Sequence, residues 1–286
     1  MASNPVFDRI DKESRQGYAG FGGAPERPAS AAGGAGDGLT PQQLQDLYNQ
    51  PSAGPVQMRR LTLDDVVMKT SGLFALVIVG AVVGWQLAPT YGPLLVIGGI
   101  AIILGLGLVI ALRKTISVPL ILVYAAGQGL FVGAISQFYS LRFDPIGQTD
   151  VFHGIVAQAV LGTLSVFAGM LLAYKTGLVR VTAKFRRIVT MAVIGYAVFA
   201  LINFLYAVIG NHTFGIGGTG PLGFFVSIFA IGLASAMLAV DFDSIDRAIS
   251  AGAPEKYSWL LAHGLIVTLV WLYLEILRLL GRMRSN

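Results

Sequence analysis

Beyond about residue 60 the chain is a series of long apolar runs with short polar breaks. Seven runs approach the ~20 residues that a helix needs to cross a hydrocarbon core. They cover about 70–88, 92–112, 117–139, 151–174, 188–210, 220–241 and 257–280. Each is continuous, without the ten-residue alternation of a membrane barrel, so each reads as a helix. The breaks carry turn residues, as in Pro89-Thr-Tyr-Gly-Pro93. The pattern predicts an all-α polytopic membrane protein, with a seven-helix bundle over 61–286.

The first 60 residues differ. They are rich in Gly, Ala, Pro and Ser, lack the apolar content for a core, and are expected to form a disordered arm. No apolar stretch follows their early charges, so they do not read as a signal peptide. A short helix is expected at 40–49, with Thr40 as N-cap, Pro41 at its first position and Gln43 closing a capping box. Thr62, followed by Asp64 and Asp65, predicts the cap of the first membrane helix.

Composition agrees with a membrane class. The chain is 55% hydrophobic and 12% charged, against about 25% charged in soluble domains. It has no cysteine, which excludes disulfides, thiolate metal sites and a cysteine nucleophile. The formal net charge of +5 lies mainly in short loops, and no basic-aromatic run points to nucleic acid. Arg59, Arg60, Lys69, Arg113, Lys114, Lys175, Arg180, Lys184, Arg186, Arg187, Arg247 and Lys256 fall in alternate breaks. The other breaks hold Arg142 alone. By the positive-inside rule the N-terminus is cytoplasmic. Seven crossings then place the C-terminus outside, against the charge of Arg278, Arg282 and Arg284. The last run is long enough to cross, so the earlier charges are expected to decide.

Several motif matches carry no chemistry. Gly215-Ile-Gly-Gly-Thr-Gly220 fits a dinucleotide fingerprint but follows no strand, and reads as a turn. Gly34-Ala-Gly-Asp37 spells an intramembrane aspartyl protease motif, but it lies in the arm. Asn211-His-Thr213 is a glycosylation sequon, relevant only in a secretory pathway. His153, His212 and His263 have no metal-site spacing, and no serine lies in a nucleophile motif. An enzyme is not expected. Small residues in the third and fourth runs predict close helix packing, and Gln128 and Asn203 are the polar residues expected to face a cavity.

Asp241, Asp243 and Glu275 are the acids near or within the last two runs. An ionisable group at membrane depth is costly and usually functional. Asp241 and Asp243 can be read as a solvated helix end, and Glu275 as an ion pair with Arg278 on a stripe with Trp271 and Arg282. The alternative is that carboxylates from adjacent helices share one proton, since two close carboxylates cannot both ionise cheaply.

Leu272-Tyr-Leu-Glu-Ile-Leu-Arg-Leu-Leu280, the helix end holding Asp241 and the span pattern resemble the transmembrane Bax inhibitor motif family. Leu63-Asp-Asp-Val-Val-Met-Lys-Thr70, Tyr174-Lys-Thr-Gly177 and Lys184-Phe-Arg-Arg187 resemble its actinobacterial branch. The resemblance covers roughly 60–282. It implies a pH-dependent calcium leak, with Asp241 and Glu275 as a gating latch and Arg113 as switch partner. On this reading the protein is a plasma-membrane cation leak channel, its partners the bilayer and calcium or protons. Asp243, Gln128 and Asn203 line the ion pathway, and Asp241 and Glu275 bind calcium weakly. Calcium prefers six to eight oxygens, so two or three carboxylates suit permeation rather than storage. No resident cofactor is expected. The alternative function is a non-transporting regulator that binds partner proteins, resembling suppressors of stress or cell death.

Overall fold

The computed structural model describes residues 59–113, 115–145, 153–210 and 214–285. Residues 1–58 of the expected arm, its helix at 40–49, the Gly34–Asp37 motif and the sequon at Asn211 lie outside the described residues. Among the described residues six helices occur: α1 Leu63–Leu112, α2 Val118–Phe143, α3 Ile155–Lys175, α4 Ala183–Gly210, α5 Pro221–Ser250 and α6 Tyr257–Arg284. All six contain stretches long and apolar enough to cross a membrane. The only extended pairing among the described residues is one antiparallel bridge, Arg60 with Pro254.

Thr62 caps α1 as expected. Its hydroxyl accepts from the Asp65 amide at 3.3 Å, and the Asp65 carboxylate accepts from the Thr62 amide at 3.1 Å. The first two expected spans, however, are one helical element of 50 residues with Pro89 and Pro93 inside it. Each proline removes an amide donor and crowds the preceding turn, yet neither ends the helix.

α1 is not a straight rod. A Cβ placed on Gly80 would stand 3.1 Å from the Cα of Gly129, and one on Gly127 would stand 2.7 Å from Ile102 Cγ2. Gly80 and Ile102 would be about 33 Å apart along a straight helix, but both lie against residues 126–129 of α2. Contacts advance together from Gly80–Ala126 to Trp85–Gly133, then run backwards from Gly99–Phe131 through Ile102–Gly127 to Gly107–Tyr124. The first half of α1 therefore runs with α2 and the second half against it. Gly80, Gly129 and Gly133 permit backbone-to-backbone approach, which small residues provide in membrane helices.

Both ends of α1 lie at one end of the bundle. Leu61 donates its amide to Ala253 O at 2.8 Å, and Lys69 pairs with Glu255 at 2.8 Å. At the other terminus of α1, Arg113 lines a cleft with Ser117 and Leu260. This basic end also holds the α3–α4 turn, where the Arg247 guanidinium reaches Val181 O. The opposite end gathers the C-termini of α2 and α6 with the N-termini of α3 and α5. There Arg284 pairs with Asp144 and donates to His153 O at 2.7 Å.

α6 is the central helix. It is buried on most of its circumference, through Leu261, Ala262, Ile266, Leu272 and Leu277 among others, as a helix enclosed by the rest of the bundle. α1, α2, α3 and α5 all pack on it. A second core group, with Val189 and Tyr196 of α4 and Ala230, Leu233 and Val240 of α5, joins α4 to the bundle, and Trp271 touches it from α6.

Candidate functional site

The sixth apolar run was expected to close at Asp241. Instead α5 continues to Ser250, so Asp241 and Asp243 lie inside the helix, about two turns from its end. The reading of these acids as a solvated helix end is thereby corrected. Asp246 and Arg247 can face water while Leu238, Phe242 and Ile245 continue the apolar face against the core, and that face carries the helix onward. Gly252, at φ 67°, then turns the chain into α6 in a conformation natural to glycine.

Asp241 is partly buried between buried neighbours Val240 and Phe242. Its Oδ2 accepts one hydrogen bond, from Thr268 Oγ1 of α6, at 2.6 Å. No cation pairs with it among the described residues. Asp243, two positions on, points elsewhere. Its Oδ2 pairs with Arg186 of α4 and with Arg247 Nε at 2.8 Å, tying the α4 start to α5 at the basic end.

Glu275 lies two turns beyond Thr268 on the same face of α6, about 10.5 Å along the axis. It is 3% exposed and fully engaged. Arg278 Nη1 donates to both carboxylate oxygens at 2.9 Å, the Tyr196 hydroxyl donates to Oε1 at 2.6 Å, and Trp271 Nε1 donates at 3.3 Å. The sequence stripe Trp271, Glu275, Arg278 and Arg282 is thus one polar face of α6. Arg282 completes it at the outer end, 1% exposed, donating to Gly223 O and to Ser227 Oγ at 2.6 Å, with its guanidinium 5.6 Å from the Phe214 ring centre.

These contacts account for the three C-terminal arginines that oppose the positive-inside pattern. Arg278 is neutralised by Glu275, Arg284 by Asp144, and Arg282 is enclosed by carbonyl and hydroxyl acceptors. They act as internal ligands of the bundle rather than as loop charge.

The other expected site residues are dispersed. Arg113 is exposed at the cleft of the basic end and forms no ion pair with a described residue. Leu260, its neighbour there, precedes Thr268 by eight residues, about 12 Å of helix, so Arg113 and Asp241 are not partners in this conformation. Asn203 is engaged by a loop: its Oδ1 accepts from the Ile216 amide at 2.6 Å and anchors the glycine-rich turn. In that turn Gly217, at φ 88°, confirms the reading as a loop. Gln128 is 3% exposed and its Oε1 has no partner. Among the described residues no three acidic or histidine side chains cluster as a metal site.

The structure thus brings Asp241 and Glu275 to one face of α6 at different depths, each with its own partners. Sequence reasoning missed Thr268 and Tyr196. Thr268 is seven residues before Glu275 and Tyr196 is on α4, so the heptad spacing on α6 was a usable signal for the first and nothing marked the second.

A helical bundle with acids and arginines enclosed between long apolar helices defines a polytopic membrane protein with a polar interior. The chain belongs to the Bax inhibitor 1 like family, whose sequence profile matches residues 4–285. A comparison with curated proteins gave no match.

Proposed function

We propose that this protein is a pH-sensitive cation leak pathway of the plasma membrane, with calcium as the permeating ion and no catalytic activity. The observation that carries the reading is Asp241. It is a carboxylate inside a long apolar helix, held by one hydroxyl and faced by no cation among the described residues. Such a group keeps the free valence that an entering proton or cation would take, and intramembrane acids of this kind mark ion pathways.

In this reading the helical halves of α1 make two crossings, giving seven in all, with residues 1–60 on the cytoplasmic side. The basic end is then cytoplasmic and the Arg282–Arg284 end outside. Asp241 and Glu275 form the gate, changing from separate networks to a shared proton as helices shift. Arg113 would meet Asp241 in the open state. Asp243 and Gln128 would line the route, with calcium held weakly and transiently by Asp241 and Glu275. The test is calcium flux in proteoliposomes across pH, comparing the native chain with Asp241→Asn. The substitution is expected to flatten the pH profile, and an unchanged profile would overturn the proposal.

One observation favours a second reading, a membrane regulator without transport. Arg59 and Leu61, which join the arm to α1, are bonded to the α5–α6 turn by Glu255 N to Arg59 O at 3.0 Å and Leu61 N to Ala253 O at 2.8 Å. A partner bound to the arm would pull directly on the helices that hold Asp241 and Glu275. This reading predicts no flux, and loss of partner capture when residues 1–60 are deleted.

A further inference from the structure

The cleft at the basic end leads towards polar groups that the Asp241 face does not use. Its mouth is formed by Arg113, Thr115 and Ser117, and its walls include Ile110, Ile121 and Leu260. One helical turn inward from Ile121 and Leu260 stand Tyr124 and His263. Their rings meet edge-on with centroids 4.5 Å apart, and they are 3% and 9% exposed. Neither makes a hydrogen bond with another described residue. Gly107, three residues before Ile110, leaves the Tyr124 ring 3.5 Å from where a Cβ would stand, so α1 closes the outer side of this pair. A further turn along α2 is Gln128, whose Oε1 is sealed from the surface and unpartnered.

Two consecutive levels therefore present a phenol beside an imidazole and then an amide oxygen, none with a hydrogen-bond partner among the described residues. Two turns beyond Gln128 the pattern stops, since Ser136 and the Tyr273 hydroxyl satisfy each other at 2.6 Å. Polar groups away from bulk water are costly unless paired, and ordered water is the usual partner where protein supplies none.

We propose that the cleft continues past Tyr124 and His263 as a hydrated passage ending at Gln128, holding ordered water between α1, α2 and α6. Among the described residues its one charged lining side chain is Arg113, at the mouth. A guanidinium there repels cations while leaving water free to enter, so the passage has its own entrance and shares only Gln128, at its inner end, with the cation route assigned to Asp241. The geometry agrees. Thr268, which holds Asp241, follows His263 by five residues and so lies about 140° around α6 from it. The inference rests on the membrane bundle and not on the cation-leak reading.

The test is X-ray radiolytic footprinting of the full chain in lipid nanodiscs, where hydroxyl radicals formed from ordered water modify the side chains beside it. Tyr124 and His263 are expected to be modified several-fold faster than Tyr273, which is 7% exposed and hydrogen-bonded. Rates equal to that of Tyr273 would overturn the proposal on the native chain alone. Gln128→Leu removes the inner polar end and is expected to slow modification of both residues several-fold. Unchanged rates in a folded Gln128→Leu protein would end the passage at its mouth and likewise overturn it. Calcium flux is not read in this experiment, so its outcome is independent of the leak pathway.

Discussion

Glu275 and Asp241 stand on adjacent helices, two turns apart in depth, and their surroundings differ in kind. Glu275 has a guanidinium on both oxygens, a tyrosine hydroxyl and an indole N–H. Asp241 has one threonine hydroxyl. A buried acid with a full set of donors is a structural tie, because removing its charge strands the partner. An acid with one donor and no counter-charge is poised to change its bonding. The two sites thus divide the work of one polar face, with the Glu275 network holding α4 against α6 and Asp241 left to respond.

That contrast is broken most directly at its rigid end. Glu275→Gln leaves Arg278 without a counter-charge in a largely enclosed setting and is expected to cost about 3 kcal/mol, the lower end for a broken buried pair since Arg278 is partly accessible. The measurement is the thermal unfolding midpoint in detergent. Adding Arg278→Gln in the same chain should recover part of the loss, because no lone charge then remains. A single variant as stable as the native chain would remove the distinction between the two acids. Arg282→Met is the next largest, at about 2 kcal/mol, because Gly223 O and Ser227 Oγ lose a charged donor in a closed setting. The same unfolding measurement reads it.

Much of this arrangement was legible in the chain. Apolar run lengths located the helices because a span must match the bilayer thickness, and the stripe Trp271, Glu275, Arg278 and Arg282 predicted a shared face because helical spacing is fixed. The Glu275–Arg278 pair followed from three-residue spacing and is present. What escaped was set by tertiary contact. The continuity of α1 through Pro89 and Pro93 depends on packing of both halves against α2, which no local propensity records. The extension of α5 past Asp241 was hidden because Asp241, Asp243, Asp246 and Arg247 look like a polar terminus in one dimension. On the helix they divide into inward and outward faces. Asn203 reads as a cavity-lining amide on an apolar helix, and only the fold brings the Ile216 amide to it.

The responsive end of the comparison is sharpened by Thr268→Val, which keeps shape and removes the one donor to Asp241 among the described residues. The expected loss is about 1.5 kcal/mol, in the range for a hydrogen bond to a charged group. Because Thr268 Oγ1 also lies 3.2 Å from Gly264 O, the valine variant frees that carbonyl for its helical partner alone, which keeps the cost from rising further. A loss as large as that of Glu275→Gln would mean that Thr268 anchors Asp241 as firmly as the charged network anchors Glu275, and the contrast would fall.

The smallest effect is expected from Asp241→Asn, within about 0.5 kcal/mol of the native chain, as for a substitution that breaks no ion pair and creates no cavity. The amide oxygen can still accept from the Thr268 hydroxyl, and no cation is left behind. A site selected for response rather than stability should tolerate neutralisation or gain from it. Thermal unfolding of this variant beside Glu275→Gln therefore separates the two acids without any transport assay. If both neutralisations destabilise equally, Asp241 must hold a counter-charge in the resting protein. It would then be a second structural tie rather than a group free to take a proton or an ion.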